Sequence, residues 1–197
     1  MKESKIKNLS LMAGSKYLSL YSCDYVNKAG NVKNWTIASR KGYTILKEQF
    51  EGIREEKVDA VIIAAIHKDT DKLVLVRQFR VPINDYLYEL PAGLVDGNEE
   101  IENAVKRELK EETGLELLQV DWDKSRKKVY SSPGMTDESV ALLYCTCQGT
   151  VSKDNLEEDE DLECILVSRE EAEKLLKSEN KIDIKAYIIL QSFVNIP

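Results

Sequence analysis

Apolar and polar positions along the chain fall into short blocks whose period changes several times. Within residues 15–40, YLSLYSCDYV and VKNWTIAS flank the turn NKAGN, which predicts a β-hairpin. VDAVIIAAI, residues 58–66, is almost wholly apolar and of strand length, the pattern of a strand covered on both faces. The turn KDTD leads into its hairpin partner KLVLVRQFR, residues 72–80, and a short strand YLYEL then meets Pro91-Ala92-Gly93. From Glu99 to Thr113 the period becomes helical, with Gly114 placed to end the helix in a left-handed conformation. Further strands are expected around 126–131, 139–147 and 163–168, and helices over 169–178 and 183–195. Mixed in this order, the elements favour one α/β domain with an N-terminal β-hairpin attached.

The helix breaks its own pattern. With about 100° per residue and Ile101 at zero, Val105 falls near 40°, Leu109 near 80° and Ala104 near −60°, an apolar stripe. Asn103, Lys106, Lys110 and Thr113 fall on the far side, where water is expected. A glutamate-rich helix ordinarily turns its acids to that side. Here Glu108 lies near −20°, Glu112 near 20° and Glu111 near −80°, on the inward stripe. Like charges one turn apart on an inward face repel and are costly to desolvate unless a cation sits among them. Mg²⁺ suits such a set, because it prefers carboxylate oxygens and keeps waters useful in phosphate chemistry.

Composition narrows the chemistry further. The 197 residues suffice for one domain of ordinary size, with 43% hydrophobic and 32% charged residues. No apolar stretch is long enough to suggest a membrane span, and MKESKIKNLS lacks the apolar run of a secretory signal, so a cytoplasmic protein is expected. The single histidine, His67, removes a multi-histidine zinc site, and it ends an apolar run where a loop-edge role is expected. Cys23, Cys145, Cys147 and Cys164 form no CxxC pair and read as buried reduced thiols. A net charge of −7 argues against nucleic acid as the main partner.

Gly93, Glu99 and the run Arg107-Glu108-Leu109-Lys110-Glu111-Glu112-Thr113-Gly114-Leu115 resemble the Nudix box with no departure. The resemblance implies a Nudix fold, a mixed β-sheet sandwiched between helices, and hydrolysis of a nucleoside diphosphate linked to another group with Mg²⁺ or Mn²⁺. It implies Glu108, Glu111 and Glu112 as metal ligands, the Ala92 carbonyl as a further one, and Glu99 as a ligand or a brace for the loop. Arg107 would orient the glutamates through ion pairs. Residues 56–197 would form the hydrolase domain and 1–55 the extension.

Three features outside the box resemble the ADP-ribose pyrophosphatases and their nucleoside-diphosphate-sugar relatives. Ser132-Pro133-Gly134 with Asp137-Glu138 resembles their proline-containing loop, although an ordinary Pro-Gly turn would read the same way. Arg77-Gln78-Phe79-Arg80 and Tyr88-Glu89-Leu90-Pro91-Ala92-Gly93 look like their VRQFR and ELPAG segments. Of the two arginines, three apart on a strand and so on opposite faces, Arg80 is expected to grip the diphosphate, with Glu89 in the same subsite. DNLEEDEDLE, residues 154–163, holds seven acids in ten positions. By resemblance Glu158 falls at the general base and Glu160 at an additional metal-associated glutamate; a box glutamate, Glu111, could take the proton instead.

In that subgroup an N-terminal hairpin pairs two subunits and lends aromatic residues to the adenine, which implies a homodimer with Trp35 and Tyr17 as stacking rings; core packing is the competing reading for both. The resulting expectation is a Mg²⁺-dependent ADP-ribose pyrophosphatase yielding AMP and ribose 5-phosphate. Alternatives are a pyrophosphatase for another sugar nucleotide such as GDP-mannose, an enzyme for oxidised nucleoside triphosphates, and a non-catalytic ADP-ribose sensor.

Overall fold

The computed structural model describes residues 4–156 and 160–195. The chain divides into two compact units, residues 1–59 with 129–140, and residues 60–128 with 141–197.

The first unit is built on three strands, β1 (Ile6–Gly14), β2 (Ser19–Val26) and β3 (Val32–Ser39), paired antiparallel in sequence order, and on helix α1 (Tyr43–Phe50). The expected hairpin is β2–β3. Strand β1 was not legible in the pattern, because only Leu9 of its nine residues is buried and its register slips twice along β2. Leu9, Tyr21, Cys23 and Leu46 form a small core, flanked by Ile6, Ile37 and Phe50.

The second unit holds a mixed sheet with helices. Its strands are β4 (Ala60–His67), β5 (Lys72–Arg80), β6 (Asp85–Glu89), β7 (Ala92–Leu94), most of β8 (Glu116–Tyr130), most of β9 (Ser139–Gln148) and β10 (Leu162–Val167). The order is β10-β5-β4-β9-β8, with β6 on β5 and β7 on β4. Val61 to Ala65 are all buried, as the unbroken apolar run requires of a strand covered on both faces. Helix α2 (Ile101–Thr113) packs on β4, β7 and β10, while α3 (Arg169–Leu176) and α4 (Ile184–Asn195) pack on each other. Strand β8 starts ten residues before the expected 126, because its exposed polar positions hide a strand that is buried mainly at Val120.

Two sequence expectations change. Thr113 is buried rather than solvated, since its hydroxyl donates to the Leu109 carbonyl and accepts from the Leu115 amide at 3.1 Å as the helix gives way to β8. His67 is buried within β4, its ring nitrogens 3.0 Å from the Thr70 hydroxyl and 3.0 Å from the Gly149 carbonyl, so it bridges two turns instead of edging a loop. The four cysteines are free; burial pushes Cys145, Cys147 and Cys164 up to about 12, which leaves them unreactive thiols. No helix among the described residues is long and apolar enough to cross a membrane.

Candidate active site

Helix α2 positions the carboxylates. It starts after Glu100, two residues later than the pattern suggested, and ends at Gly114, whose φ of 75° closes it with an amide bond to the Lys110 carbonyl at 3.0 Å. A side chain at Gly114 would also bring a Cβ to 2.7 Å from the Ser152 amide nitrogen, so that position needs glycine for its φ and for its space. Glu99 therefore lies in the turn before the helix, where its amide bonds the Asp96 carbonyl at 2.7 Å.

Arg107 gathers the acids. Its Nη1 lies 2.7 Å from Glu108 Oε1 and 3.1 Å from Glu111 Oε2, and its Nη2 lies 2.9 Å from Glu99 Oε2 and from the Leu94 carbonyl. The pair with Glu99 is bidentate, since Nε also reaches Glu99 Oε1 at 3.2 Å. This contact is the main reason Glu99 is held below the usual carboxylate range and Arg107 stays charged.

Glu112 is different. Only 4% of it is exposed, and its Oε2 accepts a bond from the Ala92 amide at 3.0 Å. Burial pushes its carboxyl up to about 8; Glu108 and Glu160 add to the shift, while the Ala92 amide and Arg80 oppose it. Burial likewise raises Glu108, whose carboxyl occupies the space that a Cβ at Gly93 would fill. The glycine is thus the cradle of a carboxylate, a requirement of space rather than of backbone angle.

These residues fit a divalent cation by their donor chemistry. Hard carboxylate oxygens of Glu99, Glu108 and Glu111 share one guanidinium, Glu108 and Glu112 are buried, and among the described residues no basic side chain is bonded to Glu112. In this structure Arg107 supplies the positive charge, and among the described residues no three acidic, histidine or cysteine side chains enclose a common point.

The other expected residues lie as follows. Arg80 and Glu89 are joined to each other, Nε to Oε2 at 2.6 Å. Arg77 instead stacks 4.5 Å over the Tyr86 ring and pairs with Glu163 at 3.5 Å. Glu160 is near enough to Glu108 and Glu112 to raise both, which brings one acid of the 154–163 run to the box. Glu158 lies outside the described residues. Within the first unit Trp35 and the Pro133 turn come together, Trp35 Nε1 donating to the Gly134 carbonyl at 3.2 Å. Tyr17 sits in the β1–β2 turn, and Trp35 pairs with Cys23, about 13 Å of strand beyond Ser19. Sequence reading missed two contacts: Tyr86 to Asp161 at 2.5 Å, and Lys41 with Asp59 and Asp137. Neither carries a local spacing signal.

Residues 56–188 match the NUDIX domain family. The chain is 35% identical over 135 residues to the methanol dehydrogenase activator of Bacillus methanolicus, and 35% identical over 133 residues to an ADP-ribose pyrophosphatase of Bacillus subtilis. Each match spans 67% of this chain and 70% of the relative. An ADP-ribose pyrophosphatase of Saccharomyces cerevisiae is 27% identical over 190 residues, 91% of this chain and 78% of its own. In structure, the chain resembles a crystallised ADP compounds hydrolase with a TM-score of 0.67 at 18% identity, covering 96% of this chain and 92% of the other, a likeness of fold. The unbroken box on α2, the fold around it and the match over residues 56–188 together place this chain in the Nudix family.

Proposed function

We propose that the chain hydrolyses the diphosphate of ADP-ribose to AMP and ribose 5-phosphate, with Mg²⁺ as the cation and Mn²⁺ as its substitute. The observation that carries this reading is Glu112, a buried carboxylate beside Glu108 and Glu160 with no base bonded to it among the described residues. Such a group calls for a proton or a cation, and a divalent ion serves phosphate chemistry. The pyrophosphatase names of the B. subtilis and S. cerevisiae relatives support the substrate, as do the VRQFR and ELPAG segments.

In this reading Glu108, Glu111 and Glu112, with Glu99, Glu160 and the Ala92 carbonyl, would hold the cation, and Arg107 aims the glutamates. Bound there, the cation would polarise a water and neutralise charge on the diphosphate oxygens. The water oxygen adds to one phosphorus as the bridging P–O bond breaks, and its proton passes to Glu158, or to Glu111 as the alternative acceptor. Arg80, aimed by Glu89, binds a diphosphate oxygen. Trp35 stacks on the adenine, bordered by Pro133, and Tyr17 adds a second ring. Residues 1–55 serve as the dimerising extension and 56–197 as the hydrolase. The homodimer is supported by the apolar side chains the first unit exposes, Leu11, Met12, Leu18 and Leu20. Free thiols support a cytoplasmic setting.

The test is AMP release from ADP-ribose with Mg²⁺ against release of GMP from GDP-mannose at equal concentration. Fast AMP release with little GMP is expected. Preference for GDP-mannose would overturn the base assignment, and inertness towards both would overturn the activity.

A further inference from the structure

The first unit contains a second charged cluster, remote in composition from the box. Lys41 Nζ lies 2.7 Å from Asp59 Oδ1 and 2.8 Å from Asp137 Oδ2, with the lysine and Asp59 side chains only 12% and 11% exposed. Asp59 reaches on to the next strand residue: its Oδ2 accepts from the Ser139 amide at 2.9 Å, and its own amide donates to the Ser139 carbonyl at 2.7 Å. Arg40 pairs with Glu138 at 3.2 Å, and the Ala38 amide donates to the Met135 carbonyl at 2.9 Å. The turn itself is closed by the Met135 and Thr136 amides on the Ser132 carbonyl, at 2.9 and 3.0 Å. Residues 132–139 are thereby fastened to the end of β3 and to Asp59 at several separate points.

Two details show that this fastening serves geometry more than stability. Burying a lysine with two carboxylates costs desolvation that such pairs do not reliably recover. Asp137 Oδ1 is moreover buried with no hydrogen-bond partner among the described residues, and an unmet buried acceptor costs stability. The lysine nonetheless stays charged: burial works to lower its pKa, and Asp137 and Asp59 outweigh it. What the turn holds is Trp35. Its indole N–H is already engaged by the Gly134 carbonyl while half of the residue, 52%, is exposed. The ring therefore offers its face rather than its polar edge, the presentation suited to a flat aromatic ligand.

We propose that Lys41 is a positioning residue for purine recognition: by tying Asp137 to Asp59 it fixes the 132–138 turn, and through the Gly134 carbonyl it sets the plane of Trp35. The inference rests on the reading of Trp35 as the base-stacking residue given above.

The experiment uses the full chain carrying Trp122→Phe, so that Trp35 is the only tryptophan of the two and reports its own surroundings. AMP is titrated against tryptophan emission, and ADP-ribose hydrolysis is followed in parallel. Lys41→Met is expected to raise both the AMP Kd and the KM for ADP-ribose at least about threefold, with kcat within about twofold, the signature of lost uniform binding. Lys41→Arg restores part of the loss, because it keeps the charge that Asp59 and Asp137 share. Should Lys41→Met fail to fold, Asp137→Asn provides the same reading with its shape preserved, and its melting temperature is measured alongside. Unchanged Kd and KM, or a fall in kcat with KM unmoved, would overturn the proposal. Trp35→Ala separates the two failures. If it raises KM while the Lys41 and Asp137 variants do not, only the positioning role is lost; if it too leaves Kd and KM unchanged, base stacking by Trp35 is lost with it.

Discussion

Two clusters in this molecule each set one cation among several carboxylates, and they do opposite work. Around Lys41, two aspartates share a single ammonium group and both are engaged, which makes a tie. Around Arg107, Glu99, Glu108 and Glu111 crowd one guanidinium, while Glu112 remains buried beside them without a basic side chain of its own among the described residues. The first cluster has one carboxylate in excess of its cation. The second has three; burial raises Glu108 and pushes Glu112 up to about 8, and the neighbouring acids add to both shifts. Charge surplus, more than charge itself, distinguishes a site built to receive a cation from one built to hold two segments together.

The largest expected effect comes from removing the surplus. Glu112→Gln should lower turnover of ADP-ribose at least about 100-fold at saturating Mg²⁺, because a lost ligand forfeits several kcal/mol of charge stabilisation. The melting temperature should hold or rise, since a buried carboxylate is gone; near-normal turnover would remove Glu112 from the site. Next is Gly93→Ala. The nearest atoms to its Cβ would be the end of the Glu108 side chain, which can swing aside, so the fold should survive while activity falls about 10- to 100-fold as a misaimed ligand would cause. A large drop in melting temperature would show instead that the backbone yields.

For the balanced cluster the expectation reverses. Asp59→Asn should cost about 1.5–3 kcal/mol in urea unfolding, the range for a hydrogen bond to a charged group, with kcat for ADP-ribose unchanged. A strong loss of kcat with full stability would erase the contrast between the clusters. The smallest effect belongs to a third carboxylate, in α3. Glu171 closes a capping box with Ser168 and is held down to about 2, chiefly by the Ser168 amide. A depressed acid contributes stability above its ordinary value near 4.5 and loses it as pH falls towards 2. Glu171→Gln removes that contribution, so wild type should be the more stable at neutral pH and acid titration of the two proteins should converge as pH falls from 4.5 towards 2. Parallel curves throughout that window would show that the cap is idle.

Much of the site was legible because it is local. One helix turn brings Glu108, Glu111 and Glu112 to the inward stripe, and the 3.6-residue period alone exposes the conflict with the apolar residues. The bidentate pair of Arg107 with Glu99 is set by the turn before the helix, where Glu99 lies, and the helical period alone does not show it. Lys41 could not be read this way, because its partners lie 18 and 96 residues further along and no period links them. Strand β1 was hidden for a related reason: with Leu9 alone buried, its sequence carries almost no alternation, and pairing with β2 defines it. The pairing of Arg80 with Glu89 is cross-strand, fixed by β5 lying against β6, and the segments alone suggested only that both belong near the diphosphate.

The central claim is that the carboxylate surplus on α2 receives a divalent cation. Its most direct measurement is Mn²⁺ binding to the intact chain without substrate, followed by the electron paramagnetic resonance signal of free Mn²⁺. The account predicts binding that Glu112→Gln weakens at least about tenfold and Asp59→Asn leaves unchanged. Equal Mn²⁺ affinity in wild type and Glu112→Gln would contradict it.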